Sequence, residues 1–492
     1  MLSMKYISTR DNENSVTATL GIIQGIAKDG GLFVPEKFPT LDYKELLNKG
    51  YKEVAAKVLE LFLNDFSRDE IEEIIENAYG SKFSKEEIVP IVKVGDVNFI
   101  ELFHGPTLAF KDMALTLLPY LMKYSLKKNN IDKEVVILTA TSGDTGKAAL
   151  EGFKDIDGVK VIVFYPYGGV SEIQRLQMVT QMGKNTFSIG IKGNFDDAQT
   201  GVKKIFSDDE FINKLEEEGY LLSSANSINI GRLIPQIVYY VYGYLNLVAS
   251  GEINTGDSIN IAVPTGNFGN ILAAYYSMRI GIPINRLLCA SNDNNVLTDF
   301  FKTKVYDKNR NLLLTSSPSM DILVSSNLER FLYHMLEDDK EISKLMSNLN
   351  NDGKFIIKSD IDIIYGGYAN EEEISRTIRN LYKDYDYIID PHTAVSYSVY
   401  REYVKNTNDK TPVLIASTAS PFKFSNKVLS SLDAVISNNE FHNLEKLSNL
   451  MKRDIPTQLS ELKVLEEKHN KVCEVEKMKD EIERILGGEY YV

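Results

Sequence analysis

Apolar residues recur along this chain with two different periods, and the change from one to the other divides it. Over 43–63 and 67–79 they return every three or four positions, the spacing of a helix face, and Ser67 with Glu70 three residues on supplies a capping box. Ahead of them lie an extended start at 5–8 and Asp29-Gly30-Gly31-Leu32-Phe33-Val34-Pro35, a turn that enters a brief strand. From about residue 94 short continuous apolar runs take over, at 134–139, 159–165, 259–263, 387–389 and 413–416. Most are followed by a turn containing Gly, Ser, Thr or Asn and then by helical spacing. Such alternation predicts parallel strands with helices on both faces, where ligands gather at the carboxyl ends of the strands. The expected class is α/β, with two parallel-sheet domains and a small, mostly helical N-terminal domain. The boundaries fall at 1–92 for the N-terminal part, 93–434 for a two-part α/β region with its site between the parts, and 435–492 for an extension read as charged helix over 461–485.

One stretch breaks the ordinary pattern. Between Arg232 and Glu252 no charged residue occurs, but Pro235, Gln236, Gly243, Asn246 and Tyr239, Tyr240, Tyr242 and Tyr244 suit a helix buried in protein rather than in lipid. The first residues, Met1-Leu2-Ser3-Met4-Lys5, hold no apolar signal core. The formal net charge of −14 argues against a nucleic-acid groove or an anionic membrane surface as partner. Cys289 and Cys473 are far apart, and the five histidines form no His-x-x-x-His pair, so neither a disulfide framework nor a metal site is expected. These features fit a reducing cytoplasm and leave room for a pocket that takes a small phosphorylated molecule, and they are compatible with a monomer as with a homodimer.

The chemistry concentrates in turns. In His104-Gly105-Pro106-Thr107-Leu108-Ala109-Phe110-Lys111-Asp112 a single lysine precedes the apolar pattern of Met113, Leu115, Leu117 and Leu118. A lysine in the first turn of a partly buried helix feels the positive end of the dipole and loses hydration; both lower its pKa and make the amine a candidate nucleophile. The run 135–138 leads into Thr141-Ser142-Gly143-Asp144-Thr145-Gly146-Lys147, a strand–turn–helix that presents backbone amides and hydroxyls to an anion. It is not a nucleotide P-loop, because Thr141 stands where the first glycine is required and Ala148 follows the lysine. A second such turn, Pro264-Thr265-Gly266-Asn267-Phe268-Gly269-Asn270, has glycines that let a backbone approach a phosphate closely. Ser227, Asn229 and Arg232 head the uncharged helix, as caps or as ligands of a phosphorylated substrate. Thr418 ends the strand at 413–416, placed either as a plain turn residue or to reach a heteroaromatic nitrogen.

An activated lysine, two anion-cradling turns and a hydroxyl at a third strand end resemble the threonine synthase family. These are pyridoxal 5′-phosphate (PLP) enzymes of the fold-type II group, which also holds tryptophan synthase β and cysteine synthase. The resemblance covers nearly the whole chain, from Lys5-Tyr6-Ile7-Ser8-Thr9-Arg10 and the Asp29-Gly30-Gly31-Leu32-Phe33-Val34-Pro35 signature onward. It implies that 93–434 binds PLP and that Lys111 is the Schiff-base lysine, in a motif specific to the compact, non-plant branch. It implies that Gly266, Asn267, Phe268, Gly269 and Asn270 cup the cofactor phosphate, and that Thr418 meets the pyridine nitrogen with a neutral hydroxyl. Thr141, Ser142, Gly143 and Thr145 would take the substrate carboxylate, with Asp144 near the cofactor's 3′-oxygen where the wider group commonly has Asn. Ser227, Asn229 and Arg232 would take the substrate phosphate. One position departs from the pattern: many bacterial relatives carry His where this chain has Ser420. The implied reaction converts O-phospho-L-homoserine and water to L-threonine and phosphate. The rivals are a PLP-dependent phospho-lyase on the same scaffold and a non-catalytic relative that binds a phosphorylated ligand.

Overall fold

Ile259–Pro264, Val413–Ser417 and Val97–Glu101 are buried along their whole lengths, and strands hidden on both faces belong in the interior of a sheet covered by helices. In the computed structural model, which describes residues 4–141 and 143–488, they do. A six-stranded sheet runs in the order Ile364–Tyr368, Ile284–Ser291, Ile259–Pro264, Val413–Ser417, Val97–Glu101, Ile91–Val94. Pairing is parallel across the first five strands, and Ile91–Val94 closes the edge antiparallel. Four neighbouring strands therefore end on the same side, and the segments that leave them begin at Asn292, Thr265, Thr418 and Leu102.

This sheet belongs to a compact unit made of Met1–Ala114 and Ser227–Ile455. In its N-terminal portion the extended start and the brief strand expected there pair, Tyr6–Ser8 running antiparallel to both Ser15–Val16 and Phe33–Pro35, and helices follow. The expected helix at 43–63 is split into a 3-10 turn, Tyr43–Leu46, and a helix, Tyr51–Phe62; between them Asn48 takes a left-handed conformation with φ 62°. The helix Arg68–Tyr79 begins as expected, with Ser67 and Glu70 forming both halves of the capping box. The uncharged stretch is the helix Ile230–Ala249, buried over most of its length, and among the described residues no helix is long and apolar enough to cross a membrane. The run at 387–389 is not a strand: it is a buried link between the helices Glu371–Tyr385 and Pro391–Thr407, held through its side chains, with the Tyr387 hydroxyl donating to Glu101 at 2.9 Å, rather than through a backbone ladder.

The second unit, Leu115–Asn226 with Pro456–Val492, holds a five-stranded parallel sheet in the order Val472–Cys473, Thr186–Ile191, Val159–Pro166, Glu134–Ala140, Tyr220–Ser223. The tail is part of its core rather than a helix running over 461–485. After a short 3-10 turn at Glu461–Lys463 it contributes the edge strand Val472–Cys473 and then the helix Met478–Leu486. Met478, Ile482 and Ile485 repeat at helical spacing and pack with Val136, Ile162, Ile189 and Val202. Gly201 makes room for the Met478 sulfur, which a Cβ there would strike. Ile482 is fully buried, so Ile482→Ala should destabilise this unit by about 2–4 kcal/mol through lost burial and a cavity. Urea unfolding followed by circular dichroism measures the loss; an unchanged midpoint would mean that the tail is peripheral.

Candidate active site

Lys111 owes its position to the strand next door. The segment leaving Val97–Glu101 turns at Leu108, which is left-handed with φ 61°, and then lies against the segment leaving Val413–Ser417. Phe110 N–H donates to the Thr418 carbonyl at 2.8 Å, Ser420 N–H donates to the Leu108 carbonyl at 3.0 Å, and Ala109 and Ala419 form an antiparallel bridge. Lys111 stands one residue ahead of the short helix Asp112–Leu115 rather than inside it. Behind it the Asp112 carboxylate accepts from Thr107 N–H at 2.8 Å and Thr107 Oγ1 at 2.5 Å, and Lys423 Nζ donates to the Thr107 carbonyl at 2.9 Å. Burial pushes the Asp112 carboxyl up to about 6 against those hydrogen bonds. Gly105 is required here, since a Cβ would come within 2.6 Å of the Asp112 carboxylate. Lys111 Nζ donates to Ser319 Oγ at 3.3 Å and lies 4.9 Å from the Phe110 ring centre.

The turn after Ile259–Pro264 is built to leave donors pointing away from its own backbone. Its carbonyls are engaged: Ser325 Oγ donates to Gly266 O at 2.7 Å, and Asn327 donates to Asn267 O from N at 3.0 Å and Nδ2 at 3.0 Å. Phe268 is left-handed with φ 63° and caps the helix Gly269–Arg279, whose first-turn amides have no acceptor within the helix. Asn270, 6% exposed, receives Tyr239 Oη at 2.8 Å and Tyr240 Oη on Oδ1, while its Nδ2 is buried without a partner among the described residues. Burial holds both phenols well above their ordinary pKa, so they remain neutral donors. A Cβ on Gly266 would sit 2.5 Å from the Ser319 carbonyl, so the glycine lets the Pro318–Met320 turn close against this one.

Thr418 is 5% exposed and its hydroxyl engages no described residue. Ser420 accepts from Phe422 N–H at 3.4 Å as a turn cap, so its hydroxyl serves the backbone. His104 pairs with Glu101 at 2.7 Å; burial would raise that carboxyl, but the bonds from His104 and Tyr387 hold it below the usual range. His392 donates from Nδ1 to Asp390 at 2.8 Å and accepts Ser319 N–H on Nε2 at 3.3 Å.

At the head of the long helix the candidates separate. Ser227 Oγ receives Asn327 Nδ2 at 3.2 Å, which sets it beside the Gly269 end of the turn. Asn229 is committed to structure: Oδ1 caps Gly231 N–H at 2.8 Å and Nδ2 donates to Ile22 O at 2.9 Å. Arg232 is 3% exposed, and burial pushes its guanidinium down to about 10. In the second unit Thr141 Oγ1 accepts from Gly143 N–H at 3.0 Å and Gly146 N–H at 2.9 Å, shaping the turn rather than projecting from it. Gly143 takes φ 142°, where a side chain would be strained and would meet Gln174 at 2.6 Å. Asp144 and Thr145 open the helix Asp144–Gly152, and Ser142 lies outside the described residues. The sequence reading passed over Ser319, Asn327 and the tyrosine pair under Asn270. The hydroxyl run Thr315-Ser316-Ser317-Pro318-Ser319 was the available signal for the first.

Fold and site define a fold-type II, PLP-dependent enzyme. The family described as "Pyridoxal-phosphate dependent enzyme" matches residues 100–418, flanked by "Threonine synthase N terminus" at 5–79 and "Threonine synthase, C-terminal" at 393–484. Threonine synthase of Schizosaccharomyces pombe is 35% identical, with 86% of this chain and 88% of that protein covered. Human threonine synthase-like 1 is 40% identical over 88% of this chain, which spans only 60% of that protein's length. Among solved structures, PLP-bound threonine synthase from Brucella melitensis superposes with a TM-score of 0.85 at 33% identity over 100% of both chains. Yeast threonine synthase gives 0.88 at 33% identity over 99% of each. The chain belongs to the threonine synthase family.

The residues present fit the family's cofactor. The unpaired Asn270 Nδ2 and the first-turn amides are donors suited to a phosphate, and Thr418 offers a neutral hydroxyl. Gly266→Ala should push the Ser319 turn off the cup and weaken PLP affinity by about 5- to 150-fold, as about one to three kcal/mol of overpacking implies. Equilibrium titration of the apoprotein with PLP, followed by absorbance, measures it; unaltered affinity would remove this turn from cofactor binding.

Proposed function

We propose that this chain is a cytoplasmic threonine synthase that converts O-phospho-L-homoserine and water to L-threonine and phosphate. The reading rests on one observation above the others: Lys111, the Gly266-Asn270 turn and Thr418 leave adjacent strands of one parallel sheet, and backbone bonds between 108–110 and 418–420 fix two of them together. PLP, when bound, supplies the electron sink that stabilises negative charge at the substrate's Cα and Cβ. Gly266, Asn267, Phe268, Gly269 and Asn270 would hold its phosphate, and Thr418 would hydrogen-bond its pyridine nitrogen without protonating it. Lys111 Nζ would anchor the cofactor, yield its place to the substrate amine, and then carry protons at Cα and Cβ. Phosphate departs from Cγ, the hydroxyl of water adds at Cβ, and the three protons released from Cα, Cβ and water end on Cα, on Cγ, which becomes the methyl group, and on the phosphate. Gly143 and Thr145, with Thr141 shaping their turn, would orient the substrate carboxylate, and Asp144 would lie near the cofactor's 3′-oxygen. Ser227 and Arg232 are the residues to test against the substrate phosphate, whereas Asn229 would act by holding the helix start.

The identity of 40% to proteins named threonine synthase-like 1 gives a second reading its footing: a phospho-lyase that eliminates phosphate and releases 2-oxobutyrate. Incubating the protein with O-phospho-L-homoserine and identifying the organic product decides between them. L-threonine in stoichiometric ratio to phosphate is expected; 2-oxobutyrate as main product overturns the synthase. Lys111→Ala should lower turnover by at least about 10³-fold, since it removes both anchor and proton carrier. Activity surviving that change would refute the Schiff-base assignment.

A further inference from the structure

Ser319 stands at the meeting point of three elements that the reaction scheme above does not use together. Its hydroxyl accepts from Lys111 Nζ at 3.3 Å, its carbonyl lies where a Cβ on Gly266 would be, and its N–H is received by His392. The 3-10 turn that carries it, Pro318–Met320, is clamped on one flank by a polar lattice: Asn292 Nδ2 donates to Ser317 Oγ at 3.0 Å and to Asp321 Oδ1 at 2.8 Å, and Asp321 receives Thr315 N–H at 2.9 Å. On the other flank the ring of His392, 3% exposed, is fixed by Asp390, itself fully buried at the start of Pro391–Thr407. Because Asp390 takes the Nδ1 proton, Nε2 is left as an acceptor, the only form that can receive a backbone N–H. A serine in a surface turn would need none of this support.

We propose that Ser319 is a catalytic residue of the site described under the proposed function, setting the direction and protonation of Lys111 Nζ, with His392 and Asp390 as positioning residues acting through it. An oxygen that accepts from Nζ favours the protonated nitrogen and restrains a side chain that otherwise turns about four bonds. Ser319 takes no proton itself: transfer runs between Nζ and the substrate, with the serine oxygen only accepting a hydrogen bond from Nζ. Ser319 thus orients the donor, and His392 fixes where Ser319 sits.

The inference rests on Lys111 being the cofactor lysine, and its test has a readout that does not depend on which product forms. In the cofactor-loaded protein the visible absorption band titrates with protonation at Nζ. Ser319→Ala should move that midpoint to lower pH by about half a unit or more, the effect of losing one hydrogen bond to the charged form. It should also lower kcat by about 10–100-fold with KM within about threefold of the parent, since the lost interaction bears on proton transfer. Ser319→Thr, which keeps the hydroxyl, should restore both readouts. His392→Gln, which can still offer an acceptor near the Nε2 position, should stay closer to the parent than His392→Ala. A midpoint and kcat unmoved in Ser319→Ala would overturn the proposal. So would a Thr variant as impaired as Ala while melting at the parent temperature. A changed product with these shifts intact would overturn the reaction assigned above and leave the role of Ser319 standing.

Discussion

The site depends on the parallel alignment of four neighbouring strands. A parallel ladder puts the carboxyl ends of Ile284–Ser291, Ile259–Pro264, Val413–Ser417 and Val97–Glu101 on one side, so four loops distant in sequence are delivered to one edge without any contact of their own. The Ala109–Ala419 bridge then converts proximity into registry. A slip of one residue there would turn Phe110 and Lys111 to opposite sides, because side chains alternate along extended chain. That is why the Lys111 segment is spelled with small residues at Gly105 and Ala109 and with a buried Asp112 receiving two bonds from Thr107.

The strand cores were legible because they are short apolar runs, and the turns because Gly, Ser, Thr and Asn mark them. Periodicity saw Ile259–Pro264, Val159–Pro166 and Val413–Ser417 but misjudged 387–389, where Tyr387 is buried by side-chain packing on Phe99 and no backbone ladder forms. It also took the tail for a surface helix. Val472–Cys473 is two residues long, and its strand character comes from the neighbouring Thr186–Ile191, a relation with no local signature. The lysine, the glycines and Thr418 could be named from their motifs, but what they lean on could not. Ser319 lies 208 residues from Lys111, and His392 another 73 beyond Ser319, so only the fold brings them together.

Candidate residues also divided by how their polar atoms are spent. Asn229 and Thr141 have their side-chain oxygens committed to nearby backbone amides, the use that short polar residues make of helix starts and turns. Asn270 has the opposite arrangement, with its oxygen doubly engaged and its amide nitrogen left over. Leaving a buried donor unmatched costs about 1–3 kcal/mol, so it persists where something else in the functioning protein repays it.

The same reasoning bears on how a chain of net charge −14 would hold an anion. The turn Pro264-Thr265-Gly266-Asn267-Phe268-Gly269-Asn270 contains no lysine or arginine. Its donors are backbone amides at a helix start and the carboxamide of Asn270, backed by two phenols that burial keeps neutral. Neutral donors in a buried setting attract a phosphate without carrying the desolvation penalty of a buried cation. They also place no positive charge of their own beside Lys111, whose amine, in the role proposed for it, would give up and recover a proton. The helix Ile230–Ala249, free of charged residues after Arg232, therefore has a different explanation from a membrane span: its Tyr239 and Tyr240 support the proposed phosphate cup with neutral hydroxyls.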